Sequence, residues 1–180
     1  LYPHEHLVGR SPDSLEEFGA LPEKRTTLAE LMKTKGYHTA AIVNNTFLAP
    51  DFGLSQGFDT YLYQGADNTE FRSARETTDL ALDWWRKTDG SKFLVVHYME
   101  PHMDLNPPKI SRGRFLKKPS IPIPYTGKEA FQLTKLSEEE RSTKSKEIQE
   151  VLDLYDEEIQ AIDLELTRLY SALHSEPTVF

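Results

Sequence analysis
The stretch richest in reactive side chains is His97-Tyr98-Met99-Glu100-Pro101-His102-Met103-Asp104. It overlaps the end of a continuous apolar run, Phe93 to Tyr98, bounded by a turn and by Pro101. That is how a strand buried on both faces of a parallel sheet reads. In open α/β sheets, ligands bind outside the carboxyl ends of the strands, so residues past this run are the first candidates for a site. His102 stands out, because an imidazole can donate or accept a proton near neutral pH. Pro101 restricts the backbone just before it. His97 lies inside the apolar run and reads as a hydrogen-bonded core histidine. Glu100 and Asp104 are two carboxylates without a third convergent group, a weak signal for a metal. A second segment at a strand end, Asn44-Asn45-Thr46, follows the apolar run His38 to Val43. His4-x-His6 would point opposite ways on an extended stretch and makes a poor chelate. Lys109, Arg112, Arg114, Lys117 and Lys118 form a basic cluster that reads as a solvated loop or as a meeting point for an anion.

The absences are equally informative. The chain of 180 residues has no cysteine, which excludes disulfides, zinc-thiolate sites, iron–sulfur clusters and a thiol nucleophile. There is no Gly-rich phosphate cradle and no G-x-S-x-G elbow. A formal net charge of −8 argues against nucleic acid as a partner, since such binding draws on Lys and Arg. No apolar stretch approaches the ~18 residues that suggest a transmembrane segment. On residues alone, the chain carries the edge of a site without a nucleophile.

The elements that must position these residues follow from periodicity. Thr27-x-x-Glu30 is a capping box opening a short helix, with Gly36 placed to end it in the left-handed region. Residues 1–25 read as loop. Gly57-Phe58-Asp59 leads into Tyr61-Leu62-Tyr63. Phe71, Ala74, Thr78, Ala81 and Trp85 predict a helix over about 69–88. Residues 99–136 form a Pro/Lys/Arg-rich excursion. Ser137-x-x-Glu140 is a second capping box, beyond which Ile148, Leu152, Tyr155, Ile159, Ile162, Leu166, Leu169 and Leu173 recur at alternating steps of four and three. They predict one long helix at about 137–175 whose apolar stripe docks on the sheet of the same domain, with a coiled coil as the alternative. The fold class is α/β, a mostly parallel sheet flanked by helices. Three countable strands, and a strand opening at Pro177-Thr178-Val179-Phe180, predict a segment of a longer protein: residues 1–180 as one partial, incomplete domain.

Several segments resemble the sulfatase family of the alkaline phosphatase superfamily, in the middle part of its catalytic domain. Leu1-Tyr2-Pro3-His4-Glu5-His6 resembles the segment downstream of the family's nucleophile motif, with Leu7 where Gly is common. Thr27 to Met32 with Gly36 to Ala40 resembles its helix-to-strand unit, and Gly57-Phe58-Asp59 the turn that follows. Phe93 through Pro108 resembles the strand and loop that end in a Pro-His pair and a later Pro-Pro. Tyr155-Asp156-x-x-Ile159-x-x-x-Asp163 resembles the helix before the last metal-binding strand.

The resemblance implies a hydrolase of sulfate esters that uses a formylglycine, made from Cys or Ser in a Cys/Ser-x-Pro-x-Arg motif, and a divalent cation, usually calcium. It implies an anionic sulfate-ester substrate, and an extracytoplasmic or lysosomal setting. Neither the nucleophile motif nor a metal-ligand set is present in these residues. His102 matches a family active-site position that contacts the sulfate or leaving-group oxygen, which makes it the candidate catalytic residue. A Lys-x-His pair of the family aligns with Asn44 and Thr46, a departure that removes a cation and an imidazole. Asn44 remains a candidate substrate-binding residue. A phosphodiesterase or phosphonate hydrolase of the same superfamily, and a non-catalytic α/β binding module, are the competing readings. The chain by itself is expected to be inactive.

Overall fold
The computed structural model describes residues 9–10, 18–65, 71–102 and 104–174. The chain divides into two compact units, residues 1–99 and 100–180, with the boundary at the start of the excursion expected at 99–136.

The first unit is built on a parallel three-stranded sheet in the order β4-β3-β5, from β3 (His38–Asn44), β4 (Thr60–Gln64) and β5 (Lys92–Val96). The fold is therefore α/β, a parallel sheet flanked by helices, as the apolar runs predict. The short strands β1 (Gly9–Arg10) and β2 (Phe18–Gly19) pair antiparallel, inside the stretch read from the sequence as loop. Strands of two residues are too short to carry a period. β3 is the centre: Ala40, Ala41, Ile42 and Val43 are buried, and Thr39 and Asn44 are fully buried at its two ends.

α1 (Leu28–Thr34) starts on the expected capping box of Thr27 and Glu30. The Gly57-Phe58-Asp59 turn locks this helix to β3. Thr39 donates its hydroxyl to the Gly57 carbonyl and its amide N–H to Asp59 Oδ2, while Lys33 of α1 pairs with Asp59 Oδ1 at 2.6 Å. Gly57 sits at positive φ, and a Cβ there would overlap the backbone of Ala29 and Glu30. Glycine is needed for both reasons.

α2 (Ala74–Lys87) begins later than its apolar period suggests. Ser73 and Glu76 form a capping box, so Phe71 precedes the helix instead of belonging to its face. β5 differs from the strand expected at Phe93 to Tyr98: it ends at Val96, its residues are half-buried and Val95 is exposed. Among the described residues it pairs only with β3, so it is an edge strand here.

The second unit holds α3 (Gly127–Thr134), α4 (Glu138–Thr143) and α5 (Ser145–Leu173). The helix expected over 137–175 is divided. The capping box of Ser137 and Glu140 drives only α4, and Lys144 at φ −99°, ψ 14° separates it from α5.

The buried face of α5 differs from the expected stripe between Leu152 and Leu166, whereas Leu169 and Leu173 of that stripe are buried as expected. Leu152, Tyr155, Ile159 and Leu166 are between 38% and 51% exposed, while Glu150, Leu154, Glu157, Glu158 and Ala161 are buried. The cause is the excursion. Its segment 104–126 folds onto α5 around a core of Leu105, Leu116, Tyr125 and Leu154, and its backbone N–H groups need acceptors once covered. Glu157 Oε1 accepts from the N–H groups of Phe115 and Leu116, Glu158 Oε1 from that of Asn106, and Glu150 Oε2 from those of Ser120 and Ile121. Three glutamates on one helix face thus organise a loop whose sequence has little periodicity.

Candidate functional site
In the first unit the carboxyl ends of the strands carry a compact polar cluster. The parallel register sets Asn44 of β3 beside Gln64 of β4. β5 continues the pairing one residue past its end, where the His97 N–H donates to the Ile42 carbonyl. Asn44 Nδ2 donates to Thr77 Oγ1 at 2.7 Å and also reaches the carbonyls of His97 at 3.3 Å and Arg72 at 3.4 Å. Arg72 Nε donates to Gln64 Oε1 at 3.2 Å. One amide therefore ties the end of β3 to α2, to the residue before its cap and to the residue following β5.

Three buried atoms of this cluster have no hydrogen-bond partner: Asn44 Oδ1, Arg72 Nη1 and His97 Nδ1. Buried polar atoms are paired as a rule, and each exception asks for an explanation. Here two donor-capable nitrogens and one acceptor oxygen, from residues whose main chains the Asn44 amide ties together, are left uncommitted among the described residues at the end of the sheet where ligands bind in open α/β folds. Burial weakens the Arg72 guanidinium's hold on its proton, opposed by the nearby Glu76 carboxylate. Arg72 nonetheless stays cationic, as guanidinium groups do in proteins.

His97 departs from the hydrogen-bonded core histidine expected from the sequence: it is half-buried, its backbone N–H is paired with Ile42, and its ring Nδ1 is one of the unpartnered atoms. Asn44 is fully buried, and its Oδ1 is the atom it has left to offer. Beside it, Asn45 caps the 3-10 turn Thr46–Leu48 through its Oδ1. Thr78 and Tyr98 share a hydrogen bond of 2.8 Å between hydroxyls. Arg72 was not singled out in the sequence. The signal that could have found it is a cation just before a Ser-x-x-Glu capping box, at a helix start facing a strand end.

In the second unit, His102 is exposed and follows the cis Glu100-Pro101 bond. Asp104 Oδ1 accepts the Gly127 N–H at 2.6 Å, at the first residue of α3. That uses it as a structural acceptor. Among the described residues no group of three or more His, Asp or Glu side chains is arranged to hold a metal, and none of the described helices is long and apolar enough to cross a membrane.

With the geometry in hand, comparison with known proteins is decisive at the level of family. The sulfatase family model matches residues 1–180. The chain belongs to the sulfatase family. Among solved structures, that of BT4656 in complex with its substrate D-glucosamine-2-N,6-O-disulfate superposes with a TM-score of 0.64 at 17% sequence identity. The alignment covers 97% of this chain and 50% of that one, so this sulfatase chain spans about half the length of its structural relative. No curated protein matches the sequence at a significant level.

The cation and formylglycine implied by the family do not fit the described residues. No carboxylate cluster is assembled among them, and the whole chain lacks both cysteine and a Ser-x-Pro-x-Arg sequence.

Proposed function
We propose that this chain is the middle segment of a sulfatase catalytic domain whose substrates are sulfate esters. The observation that carries the reading is the family match across residues 1–180, supported by a structural relative whose own substrate bears sulfate groups. In this reading the nucleophile and the divalent cation, usually calcium, come from residues outside these 180. His102 donates a hydrogen bond, or a proton, to a sulfate or leaving-group oxygen. Asn44 contributes to the substrate site through the one oxygen its internal bonds leave open, and Arg72 is the nearby cation that could offset the missing Lys of the family pair.

The test uses the full-length protein and an aryl sulfate. Replacing a positioned acid typically costs 10²–10⁴-fold, so His102→Ala is expected to lower kcat by at least about 100-fold while leaving the thermal unfolding temperature unchanged. An unaltered kcat removes His102 from the mechanism. The loss of the Lys-x-His pair makes a phosphate ester the competing substrate. A higher kcat/KM for an aryl phosphate than for the matching sulfate would assign the protein to phosphoryl chemistry instead.

A further inference from the structure
Two exposed aromatic side chains flank the polar cluster at the strand ends, and nothing in the hydrolytic reading uses them. Phe47 follows Asn44 by three residues and is 55% exposed; Phe71 immediately precedes Arg72 and is 39% exposed. They are far apart in sequence, but the fold joins their neighbours, since Asn44 Nδ2 reaches the Arg72 carbonyl at 3.4 Å. One exposed aromatic on a surface needs no explanation. Two that bracket a cluster with uncommitted polar atoms do.

The turn that carries Phe47 is fixed by the fold. Asn45 Oδ1 accepts the Phe47 N–H at 2.9 Å, and Asn45 Nδ2 donates to Met99 Sδ at 3.9 Å. The Tyr61 hydroxyl donates to the Leu48 carbonyl at 2.8 Å. The Phe52 ring stands 6.4 Å from that of Phe47, tilted by 41°. Phe71 is anchored through the residues that follow it: Arg72 Nε donates to Gln64 Oε1, and Ser73 caps α2. Side chains on a backbone already held in place lose less freedom when a ligand arrives.

We infer that Phe47 and Phe71 determine specificity by contacting the alcohol portion of the ester, and that they select a flat apolar ring over a linear alkyl chain. The inference rests on the assignment of the strand ends as the ester site. Such an ester has a charged head and an uncharged carbon skeleton. The uncommitted atoms of Asn44, Arg72 and His97 suit the head. The skeleton needs apolar surface, which small-molecule sites supply chiefly through aliphatic and aromatic side chains. Aromatic pairs attract beyond the area they bury, through the electrostatics of ring faces and edges. An alkyl chain lacks that term and loses rotational freedom on contact. Two side chains are too little surface for a protein partner, which needs about 800 Å² on each side.

The experiment is isothermal titration calorimetry of the full-length protein with two non-hydrolysable probes, benzylsulfonate and 1-butanesulfonate. They share the anionic head and differ in the skeleton. The wild type is expected to bind benzylsulfonate about three- to tenfold more tightly than 1-butanesulfonate. Phe47→Ala and Phe71→Ala should each weaken benzylsulfonate by about three- to tenfold, and 1-butanesulfonate by less than about twofold. Phe47→Tyr and Phe71→Tyr keep the ring and should stay within about twofold of the wild type. Phe131→Ala removes an exposed ring of the second unit and should leave both affinities unchanged. Every variant is checked by circular dichroism. Equal weakening of the two probes, an unchanged benzylsulfonate affinity in either alanine variant, or no binding of either probe overturns the inference. Turnover of an aryl sulfate is measured alongside. Selective, phenylalanine-dependent binding of benzylsulfonate without any turnover overturns the catalytic reading and still supports the ring selectivity of these two residues.

Discussion
The glutamate grip on the excursion can be tested at Glu157, which is fully buried on α5. Its Oε1 accepts the Phe115 N–H at 2.9 Å and the Leu116 N–H at 3.0 Å, while Oε2 has no partner. Hydrogen bonds to a charged group contribute about 1.5–3 kcal/mol each, so the pair contributes roughly 3–6. Removing the side chain also relieves a buried oxygen that has no donor, returning about 1–3 kcal/mol. Glu157→Ala is therefore expected to destabilise by about 2–3 kcal/mol. Glu157→Gln keeps an acceptor oxygen and loses the charge, so it should cost only about 1 kcal/mol. Urea unfolding followed by circular dichroism gives the energies. Amide hydrogen exchange gives the location, because the Phe115 and Leu116 N–H groups should lose protection in Glu157→Ala ahead of amides in the first unit. A cost below about 0.5 kcal/mol for the alanine variant, or unchanged protection at those two amides, would refute the view that this carboxylate holds the loop.

Three further outcomes follow from the same structure. Burial is the main cause that raises the Glu158 carboxyl; the Asn106 N–H and Arg112 oppose it, and Glu100 and Glu157 add to it. A raised folded-state pKa contributes stability that is full below the ordinary carboxylate range and lost as pH rises through the raised value. Glu158→Gln, which keeps the acceptor for Asn106, should then be more stable than the wild type at pH 8, with an advantage that shrinks toward pH 4. Parallel stability curves from thermal scans across that range would contradict the assignment. Gly57→Ala should cost more than Gly36→Ala. Both positions have positive φ, worth ~1–2 kcal/mol for a residue with a Cβ, but only at Gly57 would that Cβ overlap backbone, whereas Gly36 faces open space. Equal melting temperatures for the two variants would rule out the close approach to α1. Finally, the 180-residue chain expressed by itself should show no turnover of an aryl sulfate above a buffer blank. Activity that disappears on His102→Ala would prove that a nucleophile exists within it.

The sequence by itself determined where the three strands of the parallel sheet and the helices α1 and α4 start, and which residue types could react. Capping boxes at Thr27 and Ser137 fix helix starts because the two orphan N–H groups at a helix beginning find their acceptors within three residues. The apolar runs at His38–Val43 and Phe93–Tyr98 identify strands for a similarly local reason. The segment after the second run was legible as a site candidate. Tertiary structure alone decided which face of α5 turns inward. The heptad-like stripe is as apolar as the sequence suggests, yet Leu152, Tyr155 and Ile159 stay exposed, because Glu150, Glu157 and Glu158 supply the acceptors that the covered backbone of the excursion requires. The grouping of Asn44, Arg72 and His97 was equally hidden. It depends on a parallel register and on a helix start brought to the strand end from far along the chain, and no spacing in the sequence encodes a meeting of that kind.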